Sequence, residues 1–195
     1  LRPAVRVNVS LVIFSTVLSV YAIELVLNFR PLPSEREKHI ASVQNSGASF
    51  DTRSVREVVL DLRKQGLDAF PVFYHGQELT TWDARGRVLP LSSVSNKMSV
   101  YCNETGQYTI YRSDEHGFNN PGGMWESPSV DVAIIGDSFA HGACMPPRGG
   151  VVDLIRRNFP LTLNLAAGAG GPLLELAILK EYLPTRKPKV VFWFY

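Results

Sequence analysis

The chain has 195 residues, of which 45% are hydrophobic and 19% are charged, and its formal net charge is +2. This length can support one hydrophobic core with smaller accessory segments. Lysine and arginine are scattered among acidic residues without a basic stripe, which argues against nucleic acid as a partner.

The first predicted element is a helix that spans a membrane. Residues 7–29 carry a single charge, Glu24, and about 20 apolar residues are enough to cross a bilayer. The stretch is too long for a cleaved signal peptide and lacks the small-residue cleavage pattern. Arg2 and Arg6 precede it, which favours a cytoplasmic N-terminus. We expect residues 1–30 to anchor a single-pass inner-membrane protein whose remainder lies in the periplasm. The alternative is a buried helix of a soluble domain.

One face of this helix carries small residues. Ser15, Ser19 and Ala22, together with Asn8, fall at spacings that place them on roughly one side of a helix. Small side chains allow a second helix to approach closely in lipid, where apolar surface alone drives little association. The face therefore predicts contact with another transmembrane subunit. Isolated serines in a plain lipid anchor explain the same pattern.

A tether and a cap region are predicted before the core. Residues 31–52 are polar and interrupted by proline and glycine, as is typical of an irregular linker. Apolar residues at helical spacing over 53–65 predict a helix that ends at a glycine. Residues 70–74 and 100–111 are predicted strands. We assign residues 53–128 to the cap.

Residues 129–195 alternate predicted strands and helices. The order predicts a parallel sheet covered by helices on both faces, which is a three-layer α/β fold. Ligands of such sheets bind at the carboxyl ends of the strands. The predicted strands cover 131–135, 161–165 and 189–195, and the helices lie near 150–158 and 172–183.

A serine follows the first core strand. Ser138 stands just past the carboxyl end of the strand, and Asp137 is placed to cap the helix that begins there. A hydroxyl at this point lies near a positive helix end and backbone N–H groups, which stabilise an anionic tetrahedral intermediate. Two interpretations follow from the spacing. Ser138 is an acyl-transfer nucleophile, or the two residues are only a capping pair.

Three sequence blocks occur in the order of a known family. Residues 136–139, GDSF, resemble the Gly-Asp-Ser block of the SGNH (GDSL-type) hydrolases. Asn164 and Leu165, followed by a glycine-rich loop, resemble the second block. Residues 111–121, YRSDEHGFNNP, resemble the Asp-x-x-Gly-Phe-x-Asn segment of membrane-anchored bacterial members. The resemblance covers about residues 89–195 and implies a flavodoxin-like SGNH fold, here incomplete.

The resemblance implies a serine esterase or acyltransferase acting on an acylated carbohydrate or lipid. Ser138 would attack the ester carbonyl, and its own N–H would form part of the oxyanion hole. The second-block glycine, which supplies another N–H, aligns with Ala169, so we assign Gly168 and Ala169 to the oxyanion hole together. Asp137 and Asn164 are expected to support the site.

Two parts of the family's machinery do not occur within these 195 residues. They are a third-block asparagine and the Asp-x-x-His block that supplies the general base. Because the chain begins at Leu1 and ends inside the apolar run VVFWFY, we expect it to be a fragment of a longer protein. His141 follows the serine by three residues, and its side chain is expected to point away from the hydroxyl. His116 is expected to pack within the cap, and His39 and His75 match no motif.

The two cysteines, Cys102 and Cys144, either form a disulfide or remain as buried thiols. A periplasmic location favours pairing, and closing a loop of about 42 residues would contribute roughly 4 kcal/mol. No cofactor is expected, because Leu173 occupies the third glycine position of a dinucleotide fingerprint and no P-loop lysine follows. No metal is expected, since no His/Cys pair has ligand spacing.

A different class of function also fits these features. The chain can be a non-catalytic subunit of a membrane complex, bound through its helix, with the α/β domain as an idle scaffold. An asparagine block and an Asp-x-x-His block after Tyr195 would favour the enzyme, and their loss would favour the scaffold.

Overall fold

The protein has a mixed α/β structure with one apolar N-terminal helix and two small sheets. The fold is known from a computed structural model. Parts of the predicted tether and cap, including residues 76–89 between the first two cap strands, lie outside the described residues. The structure describes residues 2–29, 33–47, 49–75, 90–146 and 149–195.

Helix α1, Pro3–Phe29, is long and apolar enough to span a membrane. An 18-residue window within it has a mean hydropathy of 2.1, and none of its residues is buried in the structure. Proline at the first helical position is well tolerated, because its missing N–H has no intrahelical acceptor there. The helix therefore begins before the predicted range of 7–29 and ends with it.

The next two helices both begin with a capping box. Ser34 and Glu37 form a capping box at the start of α2, Glu35–Asn45, and Ser54 caps α3, Val55–Lys64, in the same way. The prediction of an irregular tether is wrong over α2, because the capping box satisfies free N–H groups and starts a helix.

The first sheet contains β1, Ala69–Pro71, β2, Met98–Val100, and β3, Ile110–Arg112. The central strand β2 pairs in parallel with β1 and antiparallel with β3. The prediction of one strand over 100–111 is wrong, because a turn containing Gly106, with φ at +99°, separates β2 from β3. Apolar side chains of α3 pack against this sheet.

The second sheet is parallel and contains three strands in the order β5-β4-β6. Strand β4 is central, and it pairs with both neighbours. The strands lie within the predicted ranges. Their bounds are Val132–Ile135 for β4, Thr162–Asn164 for β5 and Val190–Trp193 for β6.

Helices pack against both faces of β4. Ala133 and Ile135 contact the cluster that includes α6, Pro172–Tyr182. Val132 and Ile134 face the other cluster, which contains residues of two further helices. Because successive side chains of a strand point to opposite faces, the four apolar residues of β4 serve both clusters. The two further helices are α4, Ser138–His141, and α5, Val151–Arg156.

Candidate active site

The turn after β4 places Ser138 as the first residue of α4. The Asp137 carboxylate accepts a hydrogen bond from the Phe139 N–H at 2.9 Å and so caps the helix. Ser138 is half-buried. Within the described ranges its hydroxyl forms no hydrogen bond with a protein group. The capping role therefore belongs to Asp137, and the serine hydroxyl is left available.

Close packing at Gly136 sets the shape of this turn. A Cβ at that position would lie 2.8 Å from the Phe194 carbonyl oxygen and 2.9 Å from Ala140 Cβ. The Gly136 carbonyl accepts a hydrogen bond from the Ala167 N–H at 3.1 Å. Only a residue without a side chain fits here, so the strand can turn sharply into α4 while staying bonded to the loop after β5.

The glycine loop after β5 lies beside this turn. A Cβ on Gly168 would lie 2.1 Å from the Tyr101 hydroxyl oxygen, so the loop packs directly against the cap. Ala169 has a φ of 55°, in the region that glycine adopts most easily. In the described part of the chain, the backbone N–H groups of Ser138, Gly168 and Ala169 donate to no protein acceptor. These N–H groups belong to two segments that the hydrogen bond from the Ala167 N–H to the Gly136 carbonyl joins.

A buried carboxylate organises the segment before β4. Asp114 is fully buried and accepts hydrogen bonds from the backbone N–H groups of His116 and Phe118, both at 2.9 Å. It also accepts from Asn120 Nδ2 and from Trp125 Nε1, both at 2.7 Å. The charge is therefore compensated by donors that its own segment supplies.

Asn120 connects this segment to β5. Its Nδ2 donates to the Asn164 carbonyl at 3.0 Å, and its Oδ1 accepts from the Asn164 N–H at 2.7 Å. The Asn164 side chain in turn donates to the carbonyls of Ala140 and His141, both at 3.4 Å. Asn164 thus holds the last turn of α4, and the segment that resembles the family's Asp-x-x-Gly-Phe-x-Asn block is fixed to it.

The side chain of His141 faces the cap. Its Nε2 lies 3.0 Å from the Tyr111 hydroxyl, and its ring packs edge-on against Tyr101. Burial lowers the pKa of His141 to about 4, so the imidazole is neutral at pH 7. This arrangement agrees with the expectation that His141 is not the base for Ser138.

The other histidines also have partners elsewhere. His116 packs against Trp125, with ring centroids 4.3 Å apart, as expected for a residue that packs in the cap. His39 bonds to the Glu104 carbonyl, and His75 is buried with Nε2 2.8 Å from the Pro90 carbonyl oxygen. None of the protein's histidines hydrogen-bonds Ser138 within the described ranges.

A disulfide joins the cap to the end of α4. Cys102 and Cys144 are bonded, with their Cα atoms 5.0 Å apart. Cys102 closely follows β2, and Cys144 follows α4. The disulfide therefore holds β2 and α4 together near the contact between Tyr101 and His141. Sequence reasoning did not find Tyr101, Tyr111 or His75 at this site, because their contacts are between residues distant in the chain.

No family model, curated protein or solved structure matches the chain. Among the described residues, no group of three or more His, Cys, Asp or Glu side chains could hold a metal ion.

Proposed function

We propose that the protein is a membrane-anchored serine esterase or acyltransferase of SGNH type, with an acylated carbohydrate or lipid as substrate. The observation that carries the proposal is the position of Ser138. Its hydroxyl is available at the carboxyl end of a central parallel strand, and the turn before it is hydrogen-bonded to the loop that carries Gly168 and Ala169. The proposal includes a three-layer, flavodoxin-like SGNH fold, which the packing on both faces of β4 supports.

The hydrogen bonds around Ser138 favour the role of a nucleophile over the role of a capping residue. The capping bond to Phe139 comes from the Asp137 carboxylate. A serine that only capped the helix would use its hydroxyl oxygen as the acceptor of that bond. Because Asp137 caps the helix, the Ser138 hydroxyl is not needed as a capping group.

The reaction begins when Ser138 Oγ attacks the ester carbonyl carbon and a general base takes the hydroxyl proton. The carbonyl oxygen becomes an oxyanion, which the N–H groups of Ser138, Gly168 and Ala169 would stabilise. The leaving alcohol departs with a proton, and an acyl-serine remains. Water completes hydrolysis, and a second alcohol completes transfer. The resemblance places the base in an Asp-x-x-His block.

Exposed apolar side chains flank the serine and the loop. Phe139 and Leu173 are each 85% exposed, one beside Ser138 and the other at the start of α6. A large contiguous apolar patch marks a surface that binds a ligand or a membrane. We propose that these two side chains belong to such a patch, which receives the acyl chain of the substrate.

The membrane topology is part of the proposal. Helix α1 would anchor the protein in the inner membrane, with the N-terminus in the cytoplasm and the α/β domain in the periplasm. The bond between Cys102 and Cys144 supports this location, because structural disulfides persist in oxidising compartments such as the periplasm.

A fluorophosphonate probe tests the nucleophile. The probe should label the protein in native membranes, and Ser138→Ala should remove the label. Ser129→Ala is the matched control, because Ser129 is an exposed serine near the opposite end of β4. It should leave the labelling unchanged. Labelling that persists in Ser138→Ala would show that another residue reacts.

We also propose that the small-residue face of α1 contacts a second transmembrane subunit. The hydroxyls of Ser15 and Ser19 bond back to carbonyls of their own helix, at 3.0 and 2.8 Å, which leaves a shallow surface for close approach. The proposal covers Ala22 on the same face. It also fits the second candidate function, a non-catalytic subunit held by its helix.

Co-purification from native membranes tests the helix contact. Ser15→Leu/Ser19→Leu should release partner proteins, because bulky side chains block close approach. The control is Val17→Leu/Val20→Leu, which enlarges side chains on the opposite side of the helix and should retain the partners. Equal partner yields from both variants would mean that α1 only tethers the protein.

A further inference from the structure

A small cavity separates the cap from the glycine loop. The volume within it that the centre of a water molecule can occupy is about 10 Å³. About 10–15 Å³ measured in this way is enough for one water molecule. The walls include His75, Ser92, Phe118, His141 and Gly168.

Two buried imidazole rings line this cavity. His75 is 1% exposed and His141 is 5% exposed. In the described part of the chain, the Nδ1 atoms of both rings have no hydrogen-bond partner. Buried polar groups in proteins are nearly always bonded to protein or to ordered water, because leaving them unpaired is costly. Two rings with an unpaired nitrogen in the wall of one cavity point to a shared ligand.

The partners of the two Nε2 atoms determine whether this ligand must donate or accept a hydrogen bond at each Nδ1. The Pro90 carbonyl only accepts hydrogen bonds, so His75 Nε2 at 2.8 Å carries the hydrogen. Burial lowers the pKa of His75, the ring is neutral, and its Nδ1 is an acceptor. His141 Nε2 faces the Tyr111 hydroxyl at 3.0 Å, which can donate to it and leave the ring hydrogen on Nδ1. One Nδ1 then accepts and the other donates.

We propose that the cavity binds one water molecule, which donates a hydrogen bond to His75 Nδ1 and accepts one from His141 Nδ1–H. The second hydrogen of the water is directed to the carbonyl of Gly168. Gly168 lies in the wall of the cavity together with both histidines. Three hydrogen bonds are typical of a buried water.

The bound water would orient a group of the candidate active site. The Gly168 carbonyl and the Ala169 N–H belong to one planar trans peptide, so they point in opposite directions. A water that holds the carbonyl towards the cavity turns the Ala169 N–H away from the cavity. His75 and His141 are then positioning residues for the oxyanion hole. This consequence rests on the proposed function, whereas the water site itself does not.

Nitrogen NMR of the histidine-labelled protein in nanodiscs tests the hydrogen assignment without a substitution. At pH 7, His75 should be the Nε2–H tautomer and His141 the Nδ1–H tautomer. Oxygen-17 relaxation dispersion should also detect one long-lived water. A charged ring at either position, the same tautomer at both, or no long-lived water would overturn the proposal.

A matched pair of variants locates the water. His141→Asn places an amide near the position of Nδ1, whereas His141→Gln extends to the position of Nε2 and leaves no polar atom at Nδ1. The long-lived water should disappear in His141→Gln and persist in His141→Asn. Its persistence in both variants would place it elsewhere and overturn the assignment.

The rate of fluorophosphonate labelling tests the positioning role. His141→Gln should slow labelling of Ser138 by about tenfold, less than the 10²–10³ loss typical when an oxyanion donor is removed outright. His141→Asn should recover most of the rate. Equal rates in the two variants would refute the positioning role. Failure of the wild-type protein to label would contradict the proposed function, while the tautomers and the water signal would still decide the water site.

Discussion

Acidification should destabilise the α/β domain through His141. Burial holds the pKa of this imidazole at about 4 in the folded protein, against an ordinary value of 6.5. Between these values the unfolded chain binds more protons than the folded one, so stability is complete above pH 6.5 and falls as the pH approaches 4. At about 1.4 kcal/mol per pH unit, the loss attributable to His141 is about 3 kcal/mol.

The tyrosines that contact the His141 ring do not titrate in this pH range. Tyr101 and Tyr111 pack against His141 and stay neutral, because burial raises the pKa of both hydroxyls. Hydrogen-bonded carboxylates with a lowered pKa add a loss of the same sign that begins at about pH 5. They are Glu37, Asp51, Glu57 and Asp61. Burial also lowers the pKa of His75, so this residue adds a loss of the same sign.

Urea unfolding between pH 7 and 4.5, followed by tryptophan fluorescence, measures the effect in micelles. The wild-type free energy of unfolding should fall steadily below pH 6.5. His141→Gln should be less stable at pH 7 but show a shallower dependence on pH. His39→Gln, at an exposed position on α2, should keep the wild-type dependence. If His141→Gln has the same pH dependence as the wild type, the reasoning about burial is refuted.

The remaining predictions concern the glycine loop and the disulfide. Ala169→Gly should raise the free energy of unfolding by up to about 1 kcal/mol, because glycine adopts a φ of 55° without the strain that alanine carries. Thermal unfolding measures this, and a destabilised variant would contradict it. Replacing Cys102 and Cys144 with serine should lower the free energy of unfolding by roughly 4 kcal/mol, since the unfolded chain regains loop entropy. Mass spectrometry without reduction checks the bond, and two alkylatable thiols in natively prepared protein would disprove it.

Local sequence patterns predicted the elements of the parallel sheet well. Strands β4, β5 and β6 lie within the ranges expected from their apolar runs. The run of β4 is reliable because a strand covered on both faces needs apolar side chains in both directions. The apolar run of β6 also predicted a strand, although its four residues are exposed. Helix α2 was missed because its signal is a capping box rather than an apolar stripe, and none of its residues is buried.

Contacts between distant parts of the chain could not be predicted in this way. The position of Ser138 follows from the end of one apolar strand, so the residue is visible in the sequence. Tyr101, which directly follows a cap strand, lies against Gly168 of a core loop, and the placement of His75 and His141 around one cavity depends on how the cap packs. No local periodicity records such a contact, because it depends on tertiary packing.

The candidate oxyanion hole depends on backbone conformation more than on side-chain identity. Its donors are the N–H groups of Ser138, Gly168 and Ala169, which a substitution alters only by changing the path of the main chain. Ala169, which aligns with the second-block glycine of the family that the sequence resembles, has a φ of 55°, at some cost in strain. Gly168 accepts no side chain, because a Cβ would lie 2.1 Å from the Tyr101 hydroxyl oxygen. Packing against the cap therefore requires glycine at position 168 rather than at position 169. The loop can keep its backbone N–H donors even though alanine stands at position 169.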